Sequence, residues 1–158
     1  MEKQLNILSE SLDQKIQVLR QIGELNEKQA KAFDGDEADL EAFDKAFDEK
    51  DALIDEMARL DDGFEALYDR LAEALIDNKA QYAAQIRQLQ EQIAKVTELS
   101  VSIQAQEARN KKLVEEYFVK ARRGIRQNRQ SSKAAYDYYR NMSGAAYYSS
   151  SRIMDDKQ

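Results

Sequence analysis

The sequence predicts an all-α fold in which long antiparallel helices form a coiled-coil-like helical hairpin or a three-helix bundle, followed by a flexible C-terminal tail. The 158 residues contain no proline, so no ring forces a helix to end. The composition is dominated by strong helix formers such as Ala, Leu, Glu, Lys, Gln and Arg. Apolar residues recur at heptad spacing, which is typical of helices that pack along a seam. The apolar fraction of 42% suits such a seam rather than a broad layered core.

The first helix is predicted from Glu2 to about Ala32. Its apolar residues recur at heptad spacing and form one stripe, which is typical of an amphipathic helix. The stripe consists of Leu5, Leu8, Leu12, Leu19 and Ile22. Asp34-Gly35-Asp36 ends this helix, because Gly35 can adopt the left-handed conformation of a helix C-terminus and Asp36 is a good N-cap for the next helix.

The second helix is predicted from Glu37 to Leu60. Asp61-Asp62-Gly63 interrupts its pattern, and Gly63 marks either a kink or a full reversal of the chain, with equal weight for each. The apolar face of this helix consists of Leu40, Phe43, Phe47, Leu53, Ile54, Met57 and Leu60.

The third helix is predicted from Phe64 to about Gly124, a length of about 90 Å at 1.5 Å per residue. It needs partner helices over that length. Polar Ser100 and Glu107 interrupt its second heptad row, which indicates that the seam loosens toward the C-terminus. The two rows consist of Leu75, Tyr82, Leu89, Val96 and Ile103, and of Ile86, Ile93 and Val114.

The chain is predicted to divide into a helical coiled-coil domain, residues 1–130, and a tail rich in Tyr and Ser, residues 131–158. Five of the eight tyrosines lie in this tail. We expect the tail to be loosely structured alone and to order against a partner. The alternative is a frayed terminus without a role.

Charge is distributed unevenly along the chain, although the net charge is only −6. Residues 34–62 contain 13 acidic and three basic residues, whereas residues 109–133 contain nine basic and two acidic ones. These two segments can pair with each other, or each can recruit an outside partner. The basic segment has no recognisable nucleic-acid motif, and the pI near 4.9 disfavours phosphate binding, so we expect no nucleic-acid partner.

The residues that are absent exclude most catalytic chemistry. The chain has no histidine and no cysteine, and therefore lacks the commonest acid–base group, the thiolate nucleophile and the soft metal ligands. Its acidic clusters do not follow the spacing of a calcium loop. We expect no enzyme activity, no cofactor and no bound metal. No long apolar run predicts a membrane span, and Met1–Gln4 does not resemble the start of a signal peptide, so we expect a soluble cytoplasmic protein.

Two segments carry a family resemblance. Residues 50–68, KDALIDEMARLDDGFEALY, resemble the run that joins two helices in the FlgN-type flagellar export chaperones. Residues 149–157, SSSRIMDDK, are similar to the closing pattern of that family, with Ile153 or Met154 where an aromatic residue is usual. The arrangement of long helices fits the family over nearly the whole chain.

This resemblance implies a cytosolic, ATP-independent chaperone of the flagellar type III export system. Such chaperones hold hook-associated proteins before secretion and deliver them to the export gate. They bind an amphipathic C-terminal helix of the substrate by adding it to their own bundle, which is helix-in-groove recognition. In the family, a tyrosine near the C-terminus is implicated in docking to the gate, for which Tyr136, Tyr138 and Tyr139 are the candidates here.

The partner-binding residues predicted on this basis are apolar residues of the C-terminal third and its tail. They are Leu113, Val114, Tyr117, Phe118, Ile125, Tyr136, Tyr139 and Met142, with a polar rim of Lys120, Arg122, Arg123 and Arg126. The alternative at equal weight is that Leu113 to Phe118 close the bundle against Leu5 to Leu19. The alternative functions are a structural coiled coil that acts by self-association, for example as a homodimer, and a regulator that binds nucleic acid through the basic segment.

Overall fold

The computed structural model describes residues 1–124, 136–138 and 140–141. Three long helices account for most of them: α1 is Glu2–Lys31, α2 is Leu40–Ile76 and α3 is Ala83–Gly124. The described residues contain no strand. The all-α prediction is confirmed, and the bundle has three helices rather than two.

Helix α1 is the central helix of the bundle, because both other helices pack against it. It runs antiparallel to α2, since Lys15 meets Asp61 whereas Asn26 meets Lys50. It runs parallel to α3, since Ser9 lies beside Gln92 and the later residues of α1 lie beside the later residues of α3. No Cα atom of α2 lies within 8 Å of a Cα atom of α3. We call the space between these two helices the α2–α3 gap.

The chain reverses between α2 and α3 at residues 77–82, not at Gly63. Helix α2 continues through Gly63 to Ile76, so the predicted helix end at Leu60 and the predicted start of the third helix at Phe64 are wrong. Helix α3 begins at Ala83 and is described as far as Gly124. The amide of Asn78 donates to the Ala74 carbonyl at 3.0 Å and satisfies a C-terminal acceptor of α2. The heptad spacing from Leu75 to Tyr82 therefore crosses a turn.

The turn between α1 and α2 also differs in its details from the prediction. Helix α2 begins at Leu40, and its N-cap is Asp39 instead of Asp36. The Asp39 carboxylate accepts a hydrogen bond from the Ala42 N–H at 3.0 Å, which is the usual N-cap bond. The Asp39 N–H donates to the Ala32 carbonyl at 2.8 Å, so the same residue closes the loop onto the end of α1.

The core consists of two apolar clusters separated by polar side chains. The upper core joins the first three-quarters of α1 to the second half of α2 and the first half of α3; it includes Leu5, Leu8, Leu12, Leu19, Ile22, Met57, Leu71, Leu89, Val96 and Ile103. The lower core is small and consists of Ala32, Phe43 and Val114, with Phe33, Phe47 and Tyr138 packed against it. Between the two clusters lies the polar layer, formed by Asn26, Gln29, Lys50, Glu107 and Asn110.

A second buried charge pair lies within the upper core. The Lys15 ammonium lies 2.7 Å from a carboxylate oxygen of Asp61, and both side chains are almost fully buried. The same ammonium lies 4.3 Å from the ring centroid of Phe64, a cation–π distance. Aromatic and ionic contacts therefore both compensate for its burial.

Candidate functional site

The lower end of the bundle brings three chain segments together. They are the α1–α2 loop, the first turns of α2 and the last turns of α3. The ring of Phe33, just after α1, lies 5.6 Å from Phe43 of α2 and 5.9 Å from Tyr117 of α3, measured between centroids. These separations lie in the range of favourable aromatic pairs. The loop is thereby held against both helices.

A depression of about 460 Å³ opens between this loop and the end of α3. Phe33, Leu113 and Tyr117 give it apolar surface. Its charged side chains are Asp36, Glu37, Glu116 and Lys120, three acidic and one basic. An apolar depression with a net negative rim suits a segment that combines apolar side chains with basic ones.

The described tail residues contact aromatic side chains that do not line the depression. The ring of Tyr136 lies 4.8 Å from Phe118 of α3, and the ring of Tyr138 lies 4.9 Å from Phe47 of α2. The Tyr138 hydroxyl donates to a carboxylate oxygen of Asp48 at 3.2 Å. Burial and the nearby acidic side chains of α2, Asp48 first among them, raise the pKa of Tyr138 to about 12.

The predicted site residues divide into three groups. Leu113 and Tyr117 are half-buried and line the depression, whereas Phe118 is half-buried beside Tyr136. Val114 is only 3% exposed and belongs to the lower core with Ala32 and Phe43, not to the cluster around Leu5 to Leu19. Ile125, Tyr139 and Met142 lie outside the described residues. In the predicted polar rim, Lys120 lines the depression and the Arg122 guanidinium lies 4.5 Å from the Phe118 centroid.

The predicted site does not include the loop between α1 and α2, although residues of this loop line the depression. Phe33 lies outside every predicted apolar face, although an aromatic residue directly after a predicted helix is a signal for packing at that end. The apolar face predicted for the second helix includes Phe43 and Phe47, whereas the predicted site does not. They lie four residues apart, and this spacing places both on one side of α2.

The polar layer closes the site on its inner side. The Lys50 ammonium is fully buried and donates to Asn26 Oδ1 at 2.9 Å, to Gln29 Oε1 at 3.0 Å and to Glu107 Oε1 at 2.6 Å. The Asn110 amide adds a bond to the Asn26 carbonyl at 3.0 Å. Burial lowers the pKa of Lys50, while the charge and hydrogen bond of Glu107 oppose that shift. The layer separates the lower core from the upper core.

No group of acidic side chains in the described part of the chain has the arrangement of a metal site. No described helix combines the length and the apolar character that crossing a bilayer requires. The lower end presents half-buried apolar side chains beside acidic and basic ones.

A comparison with protein families identifies the family of this chain. The family model described as FlgN protein matches residues 1–143. The chain belongs to the FlgN family. The FlgN family is a family of flagellar export chaperones, and membership gives this chain a general role in chaperoning flagellar proteins for export. The resemblance to this family, seen in the sequence, is thereby confirmed. Comparisons with curated proteins and with solved structures gave no match.

Proposed function

We propose that this FlgN-family chain is a cytosolic chaperone that binds the helical C-terminus of hook-associated proteins at the lower end of its bundle and delivers them to the flagellar export gate. The observation that carries this proposal is the half-buried apolar surface of α3. Leu113 and Tyr117 line an open depression, and Phe118 is half-buried beside Tyr136. A substrate helix that covers these side chains completes the packing that three helices leave incomplete.

The magnitude of such binding follows from the area available. Complete burial of one large apolar side chain stabilises a complex by about 1.5–3 kcal/mol. Two or three such side chains contribute about 3–9 kcal/mol, and ordering a substrate segment costs about 2–5 kcal/mol of that, so this surface alone supports a dissociation constant of about 10 μM or weaker. This strength suits a chaperone that must later release its substrate.

Delivery to the gate is a separate step, which we assign to the tail tyrosines. Tyr136 is the most accessible described candidate, with 38% of its surface exposed. Tyr139 lies outside the described residues. A tyrosine suits a docking contact because its ring buries apolar area while its hydroxyl keeps a polar partner.

The experiment is titration of the full chain with synthetic peptides that correspond to the last 40 or so residues of the hook-associated proteins of the same genome. Leu113→Glu is expected to weaken binding by tenfold or more, because it places a charge in the apolar contact. The matched control is Val101→Glu, which changes an exposed apolar residue of the same helix and is expected to change the affinity less than twofold. Circular dichroism checks that both variants remain helical.

The alternative function, a structural coiled coil or homodimer, predicts a different result. In that case the chain binds none of the peptides, and sedimentation shows a stable dimer whose dissociation is promoted by Leu113→Glu. A monomer that binds the peptides excludes this alternative.

A further inference from the structure

We propose that the tail around Tyr136–Tyr138 occupies the lower part of the substrate-binding surface in the free chain, so that a substrate helix must displace it. This inference rests on the proposed chaperone function and specifies how its site is regulated. The surface in question, which we call the Phe47–Phe118 face, consists of these two aromatic residues on either side of the α2–α3 gap.

The geometry of the gap supplies the first argument. Helices α2 and α3 both pack on α1, and no Cα atom of one lies within 8 Å of a Cα atom of the other. Lys50 of α2 and Glu107 of α3 bridge the gap in the polar layer, so the place for a further helical segment lies beside the lower core. The tail residues Tyr136 and Tyr138 are helical and contact both walls of that place, Phe118 on α3 and Phe47 on α2. One short tail segment therefore occupies the position that a fourth helix of a bundle would take.

The second argument is that the tail holds this position weakly. Its described contacts are two aromatic pairs and one exposed hydrogen bond, from Tyr138 to Asp48. Few buried contacts and a solvent-exposed hydrogen bond are typical of segments that open locally at low cost. A longer amphipathic helix, which covers more apolar surface, can therefore replace the tail.

The charge around Tyr138 indicates which kind of substrate helix would displace the tail. The Tyr138 hydroxyl lies among acidic side chains of α2, namely Asp44, Asp48 and Asp51. Burial and the charge of Asp48 raise the pKa of Asp44, which shows how crowded these carboxylates are. Tyrosine brings no positive charge to them. An amphipathic helix with lysine or arginine beside its apolar stripe would gain attraction that the tail lacks.

Displacement has a functional consequence. When a substrate helix covers the Phe47–Phe118 face, the tail tyrosines lose their intramolecular contacts and become accessible. The tail tyrosines are also the residues proposed to dock at the export gate. Loading of substrate and exposure of the docking residues are then linked, because both depend on the same surface.

The test measures peptide affinity and tail protection on the full-length chain. Tyr138→Ala removes one ring contact and the hydrogen bond to Asp48, and so weakens the docked tail that competes with the peptide. Binding of the C-terminal hook-associated peptides is expected to tighten about fivefold to tenfold, which corresponds to the loss of one aromatic pair from the docked tail. The control is Tyr68→Ala, which changes a tyrosine of α2 that is 46% exposed in the upper half of the bundle. It is expected to change the affinity less than twofold.

Hydrogen exchange of residues 136–141 provides the second readout. These amides are expected to be protected in the free chain, and to lose protection both in Tyr138→Ala and when peptide is added to the unsubstituted chain. If the peptides bind with equal affinity to Tyr138→Ala and leave the tail protected, the inference is overturned and the chaperone function stands. If no peptide binds to any variant, the proposed function is overturned, and this inference with it.

Discussion

Lys50 allows the sharpest test of the physical reasoning, because a fully buried ammonium must be compensated. It has one charged acceptor, Glu107 at 2.6 Å, and two neutral ones, Asn26 and Gln29. Replacement of Glu107 by leucine leaves the positive charge buried against neutral oxygens. Breaking a buried pair in this way costs about 3–5 kcal/mol. Typical domains have only about 5–15 kcal/mol of stability, so the bundle is expected to be severely destabilised.

The double replacement Lys50→Met/Glu107→Leu is expected to recover most of that loss. An apolar pair in place of a buried ion pair is often neutral or stabilising by about 1–4 kcal/mol. The opposing contribution comes from Asn26, whose Oδ1 atom loses its Lys50 donor at a cost of about 1–3 kcal/mol. The two contributions nearly cancel. The free energy of unfolding of the double variant should therefore lie within about 2 kcal/mol of that of the parent chain. The free energies of unfolding of Lys50→Met and Glu107→Leu alone should each be well below it.

Urea unfolding followed by circular dichroism at pH 7 measures all four proteins of this cycle. The matched control is Lys95→Met, because Lys95 forms an exposed pair with Glu98 at 3.6 Å, and such pairs contribute about 0–1 kcal/mol. Single variants that cost less than about 1 kcal/mol each, or costs that simply add in the double variant, would refute the assignment of Lys50 and Glu107 to a buried, coupled pair.

Three further predictions concern local structure. Gly63→Ala should raise the free energy of unfolding by about 0.5–1 kcal/mol in urea melts. The reason is that Gly63 lies within α2 and an added Cβ meets no atom within 4 Å. A loss of stability would show that this position is not an ordinary helical site. Asp39→Ala should cost about 1 kcal/mol through loss of the N-cap bond, whereas Asp39→Asn should cost much less, and equal costs would contradict the capping role. Tyrosinate absorbance should show one component that titrates near pH 12, which Tyr138→Phe removes and Asp48→Asn shifts downward. The docked tail holds the Tyr138 proton more tightly than a free tyrosine, whose pKa is about 10. Docking of the tail should therefore weaken as the pH rises from about 10 to 12. Unchanged protection of the tail across that pH range would contradict this prediction.

The amphipathic character of each helix could be read from the sequence because it is a local property. The stripe of Leu5, Leu12 and Leu19 is fully buried, as its spacing predicts. The chain reversal could not be located in the same way. Asp61-Asp62-Gly63 resembles a helix boundary, yet Asp61 is held inside the bundle by Lys15 and the helix continues. Asn78, which stabilises the actual turn, lies within an unbroken heptad row.

Only those residues of the candidate site whose position follows from local sequence pattern could be identified from the sequence. Leu113 and Tyr117 could be identified from their apolar character near the end of a long helix, and the structure places both at an open depression. The role of Phe33 depends on the short loop that returns it to Tyr117, and periodicity contains no information about that approach. The burial of Lys50 could not be anticipated either, because lysine is ordinarily a surface residue and its acceptors lie 21–57 positions away.

The sequence by itself therefore determined the helical class, the buried leucine stripe of α1 and membership of the FlgN family. Helix-forming residues, heptad spacing and a short family run are all properties of neighbouring positions. Only the tertiary structure decided where the chain reverses, that both other helices pack against α1, and that Tyr138 returns to Phe47. These features depend on contacts between residues far apart in the chain, whose free energy is set by which surfaces meet when the helices pack.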